Sequence, residues 1–247
     1  MSDKGRSGCA KGLTVFILFL LFGKNFGYSL CQLPGRSGFV TVTPLNNVEA
    51  DLHTYLRDKR TINLSAFSVV VADVLAFTSL VSRNGFRDAF GALPGTDERV
   101  TDRSFIEAAD QIVDHHLRLV PGSSRDLVKK SVLEAYFHAA GPQNVFEPPA
   151  KTQFVRSLRK WGARDFAALL LSLYVFNSIS LVIQDEIRAK MPDVRSFELY
   201  MLGLEAICRD TVKAAMNAVS LKEPGELWAR EVLQHVEEQL MHASSTV

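Results

Sequence analysis

Between Phe166 and Ile183 the chain reads FAALLLSLYVFNSISLVI, eighteen residues without a charge. A helix made of them is apolar on every side and must be buried all round. The run is just long enough to cross a bilayer. Ser172, Asn177, Ser178 and Ser180 scatter around the helical wheel, and in lipid some of them would face hydrocarbon unpaired. That favours the central helix of a helical domain over a membrane span. Arg164, Asp165, Asp185, Glu186 and Arg188 flank the run and return both ends to water. The expected fold is all-α: a compact multi-helix domain around this central apolar helix.

The first 48 residues have a different character. From Lys4 to Val48 there are five basic residues (Lys4, Arg6, Lys11, Lys24, Arg36) and no acid. The apolar stretch 13–22 follows a basic start, as in a signal peptide, and is too short to span as a helix. Gly27 and Ser29 are small residues placed for cleavage after Ser29. The stretch 30–47 stays acid-free and carries Ser, Thr, Gly and Pro, like a transit peptide. A signal followed by a transit peptide is the address of plastids bounded by extra membranes. The simpler reading is a secretory signal and a linker. The chain thus divides into a targeting-like segment at 1–48, an all-α domain at 49–222, and a C-terminal amphipathic helix and tail at 223–247.

Helical patterning begins after Val48. A lead-in helix is expected at 48–57 and a longer one at 63–82, with Asn63, Ser65, Ser68, Thr78, Ser79 and Ser82 on its polar side. A turn-rich piece follows at 85–95. The helix at 104–120 opens with a capping box, Ser104 and Glu107, and stops at Pro121-Gly122. The next, at 124–140, stops at Gly141-Pro142, and a short helix at 152–161 stops at Gly162. After the central helix come a helix at 196–220 and a last one opened by Pro224. No alternating run is long enough for a strand; 38–43 comes nearest.

Charge and motifs exclude several function classes. The 28 basic and 27 acidic residues nearly cancel, so no overall field attracts nucleic acid. Cys9, Cys31 and Cys208 match no zinc spacing, and Cys208 is expected to be a buried thiol. There is no phosphate loop, no HExxH and no nucleophile elbow, so neither an enzyme nor a metal site is expected. Glu134 and His138 share a helix face, but one such pair does not make a di-iron centre. Lys151, Arg156, Arg159, Lys160 and Arg164 surround Trp161 as a solvated helix end or a contact for an anionic surface.

Two buried polar groups stand out. Asp73 has Ala66, Val69, Ala76, Phe77 and Leu80 as helical neighbours and is placed on the apolar face. A carboxylate there must be paired or protonated, by a neighbouring helix end, an Arg or a ligand. His116 falls at the centre of the face formed by Phe105, Ala109, Ile112, Val113 and Val120, with His115 on the opposite, charged face. A neutral imidazole there is either a ligand to a metal or a core group satisfied by hydrogen bonds.

Five short pieces follow one another in a familiar order: Leu75-Ala76-Phe77; Phe86 to Leu93-Pro94-Gly95; Ala108-Ala109-Asp110-Gln111-Ile112-Val113; Glu134-Ala135-Tyr136-Phe137-His138-Ala139-Ala140-Gly141; and Arg209-Asp210-Thr211-Val212-Lys213. Together they resemble the peridinin–chlorophyll a proteins, soluble antenna proteins of dinoflagellate plastids. The resemblance implies a light-harvesting protein of the thylakoid lumen or surface that binds chlorophyll a and peridinin or another carotenoid. It implies a pigment cage lined by Phe67, Asp73, Phe77, His116, Tyr136, Tyr174 and Phe176. A second copy, or photosystem or antenna subunits, would close the cage. The family histidine that holds the chlorophyll magnesium through water falls on Tyr136, a poor donor, which leaves His116 as the substitute. The alternative is a structural or interaction subunit without pigment or catalytic activity, membrane-associated, secreted or membrane-anchored. Without pigment, His116→Leu is expected to be nearly neutral.

Overall fold

A computed structural model describes residues 48, 64, 67–94, 104–120, 122–141, 145, 149–220 and 223–242. The chain divides into two units, 1–40 and 41–247, and every described residue lies in the second. The targeting-like segment, the lead-in helix and the stretch 38–43 therefore fall outside the described residues, Val48 apart.

Seven α-helices make up the described structure, and it contains no strand. They are α1 (Ser68–Asn84), α2 (Phe86–Gly91), α3 (Phe105–His116), α4 (Arg125–Ala140), α5 (Ala150–Lys190), α6 (Val194–Ala218) and α7 (Glu226–His242). Their ends follow from local chemistry. Ser104 accepts from the Glu107 amide while the Glu107 carboxylate accepts from the Ser104 amide, the reciprocal cap that starts α3. Asp193 caps α6 by accepting from the Ser196 amide at 2.7 Å. Gly85 (φ 91°) and Gly141 (φ 86°) stop α1 and α4 in a backbone region that favours glycine.

Helix α5 is the axis. It packs against α4, α6 and α1, and α7 lies against both α1 and α6. By length and composition α5 is apolar enough to cross a membrane, yet 72% of its apolar stretch is buried inside the protein. Ser172 and Ser178 return their hydroxyls to the carbonyls of Ala168 and Tyr174, one turn back. Such bonds would satisfy them in lipid too, so their mere presence does not separate the two settings. The helix is also broken where the sequence places a stop: Gly162, at φ 75° and ψ 174°, divides a basic first part from the apolar second. Arg164, just past the break, donates to the Met216 carbonyl in the last turn of α6.

Several expectations are corrected. The turn-rich piece after Gly85 contains a short helix, α2, because Phe86, Ala89 and Phe90 share one face and are buried. Ser68 and Thr78, assigned to a polar side of α1, are buried at 1% and 3% exposure. The terminal helix is no appendage: Trp228, Ala229, Val232, Leu233 and Val236 are buried, and Glu237 accepts from the Leu64 amide ahead of α1 at 2.6 Å.

Candidate functional site

Three helices bring together three of the polar residues picked out from sequence. His116, from the last turn of α3, gives Nδ1 to Asp73 Oδ2 on α1 at 2.5 Å. Its other nitrogen, Nε2, lies 3.1 Å from the hydroxyl of Tyr136 on α4. With the Nδ1 proton donated to the carboxylate, Nε2 presents its lone pair and accepts from the phenol. Phe77 sets an edge against the imidazole and a tilted face against the phenol. The short connection after α3 turns the apolar faces of α3 and α4 toward one core, as expected of antiparallel neighbours. Lys129 on α4 reinforces that pairing through Asp110 and Asp114 on α3, at 2.7 and 3.0 Å.

The chain of contacts runs from near the surface to the interior. The Asp73 side chain is 43% exposed, the His116 side chain is fully buried, and Tyr136 has no exposure. Asp73 is thus not in the middle of an apolar face; it sits at the edge, and its partner is a histidine rather than an arginine or a helix end. The hydrogen bond from His116 holds its carboxyl below the ordinary carboxylate value, against the opposing effect of partial burial. Burial, and then the Asp73 charge, pushes the Tyr136 phenol well above its ordinary value, so it remains a proton donor in the bond. His115 is also corrected: it is half-buried, its Nδ1 has no partner, and burial lowers its pKa, followed by Arg118 and His116.

The other candidate residues do not join this group. Phe67 and Tyr174 stack on each other, 3.9 Å between centroids. Phe67 lies ten residues before Phe77, about 15 Å away along α1. Phe176 is only half-buried. Tyr136 instead meets Phe154 and Phe166 at 5.3 and 6.1 Å, part of an aromatic cluster with Phe86 and Phe105 that periodicity alone does not single out.

A second polar group was half visible in the sequence. Glu134 on α4 accepts from the Asn177 amide on α5 at 2.6 Å, and Ser131 accepts from the same nitrogen at 3.1 Å. Burial raises the Glu134 pKa, offset in part by Lys130 and Asn177. His138, which shares a helix face with Glu134, is exposed. Asn177, the one amide in the charge-free run, is the sequence signal that could have pointed here. Cys208 is a buried free thiol, its pKa pushed up to about 12 by burial.

Among the described residues no cluster of His, Cys, Asp and Glu is arranged to hold a metal. The geometry of Asp73, His116 and Tyr136 is that of a clamp. It ties α1, α3 and α4 together, with His116 and Tyr136 closed off from solvent and only the Asp73 carboxylate reaching it. A chlorophyll magnesium needs a free axial donor, and both His116 nitrogens are engaged. No protein-family model, curated protein or solved structure matches the chain, so the likeness to peridinin–chlorophyll proteins rests on the quoted sequence pieces alone.

Proposed function

We propose that the protein is a non-catalytic helical subunit that works by docking to a partner and carries no pigment. The observation behind this reading is apolar surface left outside a filled core. Leu181 on α5 is 69% exposed, and Val194, Leu199 and Leu202 on α6 are 65%, 40% and 49% exposed. These two helices pack on each other, and Leu199 and Leu202 lie one turn apart. A partner that covers such side chains gains about 25 cal/mol for each Å² taken from water. The pigment-binding reading asks more of the chain. It needs the His116 clamp to open and the Phe67–Tyr174 stack to part.

The test is a spectrum and a size. Protein isolated from its native source should be colourless and run as a complex larger than the monomer. Leu181→Ser combined with Leu202→Ser should release the monomer without lowering the melting temperature. Chlorophyll and carotenoid bands in fixed ratio to protein would restore the antenna reading. A colourless monomer from the native source would remove both.

A further inference from the structure

Several basic side chains on α4, α6 and α7 have an opposite charge nearby: Lys129 has Asp110 and Asp114, Arg209 has Glu205, and Arg230 has Glu226. The first part of α5 differs. Lys151, Arg156, Arg159, Lys160 and Arg164 occur there without an acid between them. Among the described residues, Arg156, Arg159, Lys160, Arg164 and the neighbouring Arg83 make no ion pair.

This positive region contains a cleft. Thr78, Ser79, Ser82 and Arg83 of α1 form one wall; Leu158, Gly162, Ala163 and Phe166 of α5 form the other, around about 110 Å³. Gly162, at the break in α5, lines this space, and beyond its own chain neighbours and helix backbone no atom lies within 4 Å of the place where a Cβ would project. Arg159 donates from Nε to the Ser82 carbonyl at 2.8 Å, which fastens α5 to α1 beside the cleft and holds a second guanidinium there. Thr78 spends its hydroxyl on the Leu75 carbonyl. The Ser79 and Ser82 hydroxyls and the Arg83 guanidinium have no hydrogen-bond partner among the described residues. The volume is that of a few waters, well under the 300–1,000 Å³ of an ordinary small-molecule pocket, so it admits one small group rather than a cofactor. Two hydroxyls and a forked guanidinium suit a tetrahedral oxyanion, and Leu158 and Phe166 in the α5 wall tolerate a hydrocarbon attached to it.

We propose that the cleft at Gly162 binds a phosphate group, carried either by an anionic lipid at a membrane surface or by a small phosphate in solution. The site is separate from the apolar surface of α5 and α6, and its test does not depend on that docking.

Calorimetry with inorganic phosphate is one arm. Flotation with phosphatidylcholine vesicles, plain or doped with phosphatidic acid, is the other. Arg83→Gln is the main variant; Arg83 is exposed and unpaired, so its melting temperature should match wild type. Ser79→Ala with Ser82→Ala is a second variant that keeps every charge. Arg195→Gln, on an exposed arginine of α6, is the control. Loss of one charge-assisted contact should weaken binding about tenfold. Phosphate binding that falls about tenfold in Arg83→Gln and in the serine variant, with Arg195→Gln unchanged, supports a phosphate site open to small ligands. Binding only to phosphatidic acid vesicles, with the same pattern among variants, supports a lipid headgroup as the source. No binding in either arm overturns the proposal. So does binding that Arg83→Gln and Arg195→Gln weaken equally, because diffuse charge then explains it.

Discussion

Removing His116 alone strands two groups at once: the Tyr136 hydroxyl, which has no exposure, and the Asp73 carboxylate. The near-neutral outcome expected from sequence for His116→Leu therefore changes. A buried donor left unpaired costs about 1–3 kcal/mol, and His116→Leu should lose that much in denaturant unfolding. Tyr136→Phe strands only the His116 acceptor and should cost about 1–2 kcal/mol. The double variant His116→Leu/Tyr136→Phe should cost less than the sum, since neither partner is then orphaned. Strict additivity would show that the two side chains do not share a bond. Asp73 adds a pH signature. Its folded pKa lies below its unfolded value of about 3.9, so its contribution is complete above that value. It is lost as pH falls further, through the folded pKa. Asp73→Asn should cost about 1 kcal/mol at neutral pH, a modest figure because the carboxylate is half-exposed. The gap to wild type should close in acid; a gap that stays constant down to the lowest pH measured would exclude the charged bond.

The two parts of α5 respond to different changes. Leu173, 7% exposed, sits in the apolar second part, and Leu173→Ala should destabilise by about 2–5 kcal/mol through lost burial and a residual cavity. A change below about 1 kcal/mol in urea unfolding would mean that the helix is not packed as a core element. Gly162 lies at φ 75° and ψ 174°, a region open to almost no residue with a Cβ, although space for the Cβ itself is present. Gly162→Ala should cost about 1–3 kcal/mol from the backbone alone. If the substituted chain instead straightens into one continuous helix, the contact of Arg159 with the Ser82 carbonyl should be lost, which amide exchange near Ser82 would report. These element boundaries were largely legible in the sequence. The capping box at Ser104 and the glycines at 85, 141 and 162 act within a few residues of themselves, through backbone conformations and caps that need no distant partner.

For the whole molecule, α7 is the revealing element, since it packs on α1 and α6 rather than extending from them. Deleting 223–247 would expose the core against which Trp228, Val232, Leu233 and Val236 pack, each worth about 1.5–3 kcal/mol. Together these rival the usual stability of a domain, so the truncated chain should lose cooperative thermal unfolding. A truncated chain that melts sharply near the wild-type temperature would make α7 peripheral. Amino-acid order by itself determined which stretches become helices, where they stop, that 166–183 runs through the interior, and that His116 is buried, because the Ser104 helix carries one clear apolar face. It left open which side of α1 is buried: VVVADVLAF is apolar nearly all round, so no phase is favoured, and Asp73 and Thr78 were placed on the wrong sides. Partners were equally out of reach. Asp73 meets His116 across 43 residues and Asn177 meets Glu134 across 43, and such pairings depend on how helices are stacked, a long-range packing choice that local propensity and periodicity do not encode.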